Sequence, residues 1–100
     1  MKARNFAVKI LRRNDSIIVN LCDEESLGTI ISSDGIDLNI SEDYFGGDQA
    51  TTDEALSLMK RCKVANLVGD RIVRLAIESD LATPEAVKRV GGTSFLMIFR

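Results

Sequence analysis

The chain contains no histidine and no tryptophan, and it has one proline, one tyrosine and two cysteines in 100 residues. Without histidine there is no imidazole base to activate a serine or cysteine, and no mixed cysteine–histidine zinc site. Cys22 and Cys62 lie far apart and in no CxxC pair, so the sequence predicts two reduced, buried thiols. The alternative is an intracellular disulfide of the kind hyperthermophiles use. An apolar run of about 18 residues, enough to cross a bilayer, is also missing. Met1-Lys2-Ala3-Arg4-Asn5 leads into no apolar secretory segment. The expected location is cytoplasmic, with no membrane partner.

A second absence is local. Between Arg13 and Lys60 there is no basic residue, while that stretch holds eleven carboxylates, Asp15, Asp23, Glu24, Glu25, Asp34, Asp37, Glu42, Asp43, Asp48, Asp53 and Glu54. The remainder holds all thirteen basic residues and only Asp70, Glu78, Asp80 and Glu85. A net charge of −2 therefore hides −11 against +9.

What is present suits a folded domain. Hydrophobic residues at 45% and charged residues at 28% lie far from the composition of disordered chains. One domain spanning residues 1–100 is expected, as a monomer or homodimer, because this length is too short for two ordinary cores.

Phe6 to Leu11 and Ser16 to Cys22, separated by Arg12-Arg13-Asn14-Asp15, predict a β-hairpin. Asp23-Glu24-Glu25-Ser26-Leu27-Gly28 predicts one helical turn, with carboxylates at its N-terminus and glycine after its end. Thr29 to Ser32 and Ile36 to Ile40 flank Ser33-Asp34-Gly35, a second hairpin whose later strand alternates strictly and so has one buried face. Ser41 to Asp48 reads as a loop pinned by Tyr44 and Phe45. Thr51 and Glu54 form a capping box opening a helix with Ala55, Leu58, Met59, Cys62 and Ala65 on one face. Asn66 to Asp70 reads as a corner before a second helix through Ile72, Val73, Leu75, Ala76 and Ile77. Pro84 opens a third, shorter helix that stops at Gly91-Gly92, and Phe95 to Phe99 is a continuous apolar strand buried on both faces. Strands first, helices next and one returning strand imply an α+β, two-layer sandwich. Its mostly antiparallel sheet is covered on one face by two or three helices, with the C-terminal strand central.

No motif carries obvious chemistry. Catalysis would rest on carboxylates, Lys60, Lys63 or Tyr44, none inside a recognisable constellation. Cys22 at a helix N-terminus could be activated by the dipole, but the adjacent carboxylates favour an inert thiol. The acidic spacing around Asp34 to Asp43 does not fit a calcium loop, and no metal or cofactor is expected. Ala65-Asn66-Leu67-Val68-Gly69 partly matches a helix-turn-helix corner, although Asp70 stands where such motifs bury an apolar residue.

The ordered segments Cys22 to Gly28, Ile40 to Gly47, Ala65 to Asp70, Leu75 to Glu78 and Gly91-Gly92 together resemble an archaeal family catalogued as domain of unknown function 424. The resemblance implies a small archaeal cytoplasmic protein with a two-layer α+β fold and no assigned activity. It brings no catalytic residues. Members of that family often carry a Pro-His pair after the glycine matching Gly92, where this chain has Thr93-Ser94.

The charge split makes a binding module the leading expectation. RNA or a ribonucleoprotein would meet basic helices through Lys60, Arg61, Lys63, Arg71, Arg74, Lys88 and Arg89. A second expectation is a protein–protein adaptor that offers Asp34, Asp37, Glu42 and Asp43 to a basic surface. A third is a carboxylate-based, metal-dependent enzyme.

Overall fold

The computed structural model describes residues 5–99. Met1 to Arg4, named above as the non-secretory N-terminus, lie outside the described residues, as does Arg100. Among the described residues the order is β1 (Phe6–Arg13), β2 (Ser16–Asp23), β3 (Ile30–Ser33), β4 (Ile36–Asn39), α1 (Glu42–Phe45), β5 (Asp48–Ala50), α2 (Thr52–Arg61), β6 (Val64–Val68), α3 (Asp70–Glu78), β7 (Lys88–Val90) and β8 (Thr93–Phe99). Single 3-10 turns occupy Glu24–Ser26 and Pro84–Ala86. The architecture is α+β. Six strands form one sheet in the order β5-β1-β2-β6-β8-β7, and β3 and β4 form a separate two-stranded ribbon.

Strand period explains the two faces. Phe6 and Val8 on β1, Val19 and Leu21 on β2, Ala65 and Leu67 on β6, and Leu96 and Ile98 on β8 point to one side. There they pack on Ala55 and Met59 of α2 and Ile72, Val73 and Ala76 of α3. On the other side Ala7, Cys22 and Val68 pack beneath Ile31 and Ile40, with Phe45 and Phe95 against them. The ribbon and α1 therefore cover part of a face that the sequence left bare.

β2 and β6 run parallel, with Ile18 beside Val64 and Cys22 beside Val68. The end of the sheet at Asp23 and Val68 is called upper here. α2 follows β5, whose Ala50 pairs with Phe6 at the upper end, and it leads to Val64 at the lower end. α3 follows Val68 and also starts at the upper end. Both helix N-termini and the C-terminal ends of both parallel strands thus share one end.

The expected first hairpin, the Glu24 turn and the second hairpin are all present. So is the capping box: Glu54 N donates to Thr51 Oγ1 at 3.2 Å, and Thr51 N donates to Glu54 Oε1 at 2.9 Å.

Four local expectations are corrected. Val64–Val68 is an interior strand, not a corner between helices, so the helix-turn-helix reading is withdrawn and Ala65 belongs to the sheet, not to α2. The helix after Pro84 stops after one turn, because Lys88–Val90 pairs back onto Phe95–Thr93 around Gly91 and Gly92, both at positive φ. The alternating β4 buries none of its four residues; Ile36 is 63% exposed, and only the flanking Ile31 and Ile40 reach the core. β8 is interior, flanked by β6 and β7, but its alternate residues Met97 and Phe99 are open to solvent, so the run is buried on one face only.

Candidate nucleic-acid interface

The seven basic candidates separate into three places. Lys60 and Arg61 close α2, and Lys63 N donates to Ile17 O at 2.9 Å, so all three sit at the lower end. β1 delivers Arg12 and Arg13 to the same end, where Arg12 pairs with Ile17 and Arg13 with Ser16. Neither arginine stood out in the sequence, because both read as turn residues. The hairpin and the α2–β6 connection are distant in sequence, and the parallel pairing of β2 with β6 joins them. Asp15 in the intervening turn is the carboxylate closest in sequence.

Arg71 and Arg89 are at the upper end and engaged within the chain. Arg71 Nε and Nη2 donate to the two Glu25 carboxylate oxygens at 2.8 and 2.6 Å, and Nη2 also donates to Asn5 O at 3.1 Å. Its guanidinium lies 4.7 Å from the centre of the Phe6 ring. The bidentate bond to Glu25 raises its pKa further. Arg89 donates to Ser94 Oγ at 2.9 Å and to Gly92 O at 2.6 Å, and it stands 3.5 Å from Asp70 Oδ1. Arg74 is near enough to Asp70 to lower that carboxyl's pKa.

The upper end is also tied by Asp23. Its Oδ2 accepts from Arg71 N at 2.9 Å and its Oδ1 from Ile72 N at 2.8 Å, which caps the first turn of α3 from another strand. Gly69, at φ 120°, lets this happen: a Cβ there would overlap the Asp23 carboxyl. Burial raises the pKa of Asp23 even though both backbone donors oppose the shift. Because Asp23 occupies the helix N-terminus, an anion cannot.

Lys88 belongs to neither end. It sits on β7 beside Phe95, on the sheet face opposite α2 and α3. There a cleft of about 560 Å3 opens between the ribbon, α1 and the sheet, lined by Leu38, Phe45, Asn66, Met97 and Phe99 as well as Lys88. Asn66 Nδ2 donates to Asn20 Oδ1 at 2.9 Å, and Asn20 Nδ2 donates to Tyr44 O at 2.9 Å, which fixes the amide at the cleft floor. Phe99 and Met97 are 70% and 51% exposed. Sequence reasoning missed them because Phe95 to Phe99 is apolar at every position, so its two-residue period is invisible without a partner strand.

The acidic candidates lie on the ribbon side. Asp34 is in the β3–β4 turn at φ 52°, Asp37 accepts from Ser32 Oγ at 2.6 Å, and Glu42 and Asp43 form the first turn of α1. Among the described residues no three of cysteine, aspartate and glutamate gather closely enough to hold a metal ion. Cys22 and Cys62 are both buried thiols, in the clusters on opposite faces of the sheet. Burial, then the charges of Asp23 and Glu25, push the Cys22 thiol up to about 12, far from a nucleophile. No described helix is long and apolar enough to cross a membrane.

Residues 11–100 match the family model described as "Protein of unknown function (DUF424)". The chain belongs to the DUF424 family. No curated protein matches this DUF424 chain. Among solved structures, it is similar to the crystal structure of an uncharacterised conserved protein from Methanopyrus kandleri, an archaeon. That likeness has a TM-score of 0.78 and 22% identity, and covers 96% of this chain and 94% of the other. The shared feature is the fold.

Proposed function

We propose that this DUF424 chain is an RNA-binding module that grips phosphates with the lower end of its sheet. The observation that carries the reading is the gathering of Arg12, Arg13, Lys60, Arg61 and Lys63 from two distant segments. The salt-bridged Arg71 and Arg89 serve the fold instead, so the reading moves away from α3. A group of cations at one end, with the acidic stretch displaced toward the other end and the ribbon, suits a polyanion.

The test is fluorescence anisotropy with labelled RNA at low salt. Reversing Lys60, Arg61 and Lys63 to Glu is expected to weaken binding at least tenfold, while Arg74→Glu has a smaller effect. Equal losses in the two variants, or no binding by the unaltered protein, would refute the reading.

A second reading, the adaptor, is favoured by the open apolar ribbon, where Ile30 and Ile36 are 65% and 63% exposed next to Asp34 and Asp37. It requires a basic protein partner that survives nuclease treatment and is lost when Asp34, Asp37, Glu42 and Asp43 are reversed.

A further inference from the structure

The sheet face opposite α2 and α3 differs from the rest of the surface in two ways. First, its lower half is uncovered and apolar. Leu11, Ile18, Val64 and Phe99 form one row across β1, β2, β6 and β8, and Met97 lies in the next row up. Second, its charged positions have one sign. The six strands place Lys9, Arg13 and Lys88 on this face, and no carboxylate, although the chain has fifteen acidic residues. The ribbon and α1, which carry carboxylates, stand over its upper part, and Asp15 follows Arg13 in the β1–β2 turn. Asp37 is the neighbour of Leu38, the residue that lines the cleft, and it is held by Ser32.

We infer that this face and its cleft bind the unpaired bases of a single RNA strand whose phosphates run along Lys9, Arg13 and Lys88. The inference rests on the RNA reading above and adds a preference to it. An apolar floor alone would suit many occupants. A floor whose own charged positions are all cationic suits a chain that is apolar on its bases and anionic on its backbone, and open sheets with exposed aromatics recognise RNA in this way. Phe99 supplies an aromatic ring and Met97 a polarisable side chain for stacking.

Asn66 supplies a reader of base edges. One of its amide hydrogens goes to Asn20, whereas Oδ1 and the second hydrogen meet no described protein group. An amide offering one donor and one acceptor complements a base edge. The cleft volume of about 560 Å3 falls inside the roughly 300–1,000 Å3 span of ligand sites.

The test compares a labelled oligouridine and oligoadenine strand with an RNA duplex of equal length, by anisotropy at low salt. Single strands are expected to bind more tightly. Phe99→Ala, a change at an exposed position, should weaken single-strand binding about 5- to 160-fold, the effect of losing one stacking contact of about 1–3 kcal/mol. Duplex binding should stay unchanged in that variant, and the Met97 methyl resonance should shift on adding oligouridine. Equal affinity for strand and duplex, untouched by Phe99→Ala, overturns this inference and leaves phosphate binding at the lower end intact. Absence of binding to any RNA overturns both. A concentration-dependent dimer that Phe99→Ala dissociates assigns the face to a second copy of the chain and also overturns the inference.

Discussion

Ser94 shows how one hydroxyl organises charge. Buried on β8, it donates to Asp70 at 2.8 Å and accepts from Arg89, and this bond is the main reason that Asp70 is held below the usual carboxylate range. A carboxyl whose folded pKa is depressed stabilises the fold above its unfolded value, near 3.9, and loses that contribution as pH falls through the folded value. Ser94→Ala is therefore expected to lower the urea midpoint most at neutral pH, with the gap to the unaltered protein closing as pH drops below about 4. A gap that stays constant with pH would show that Ser94 acts through packing instead. The Asp70 side chain is half exposed, so screening keeps the effect small. Asp23 works with the opposite sign: its pKa is raised, so its contribution is present in acid and lost as pH rises through the folded value. It is unchanged in the Ser94 variant, so the comparison isolates Asp70.

Among the elements, α2 was the most legible in sequence, because its determinants lie within one turn. Thr51 and Glu54 satisfy each other's backbone donors without help from the rest of the fold. Thr51→Ala is expected to destabilise the protein by about 1 kcal/mol, read as a shift of the urea unfolding midpoint with unchanged slope. β6 was illegible for the converse reason. Val64-Ala65-Asn66-Leu67-Val68 follows a helix directly, and only its distant neighbours, Ile18 to Cys22 on one side and Phe95 to Phe99 on the other, make it a strand. β7 was hidden similarly, since Pro84 does open a helical turn but Gly91 and Gly92 then fold Lys88–Val90 against β8. The same dependence on pairing governed the candidate site. Lys60, Arg61 and Lys63 could be picked out by charge, whereas Arg12, Arg13 and Phe99 acquire meaning only from register.

At the scale of the whole molecule, the charge split along the sequence becomes a partial split along the strand axis. Asp23, Glu25, Asp53, Glu54 and Asp70 gather at the helix N-termini, and Arg12, Arg13, Lys60, Arg61 and Lys63 at the other end, with Asp15 in the β1–β2 turn and Glu78 and Asp80 at the end of α3 as lower-end exceptions. Such a molecule should orient itself in the field of a polyanion before contact. If all five lower-end cations meet phosphates of a single strand, the logarithm of the association constant should fall with the logarithm of salt at a slope of roughly −3.5, from about −0.7 per phosphate. A slope near zero would remove the electrostatic basis of the reading. The sheet's outline also bears on solubility. Its outermost strands, Asp48–Ala50 and Lys88–Val90, are three residues each and carry a charge at their first position. Among the described residues they leave Lys9–Arg13 of β1 and Leu96–Phe99 of β8 without a sheet neighbour on the outer side, and the β1 stretch carries three cationic residues, Lys9, Arg12 and Arg13. Charge on an open edge disfavours pairing with a foreign strand, so the cations that would meet phosphates also guard the β1 edge against aggregation.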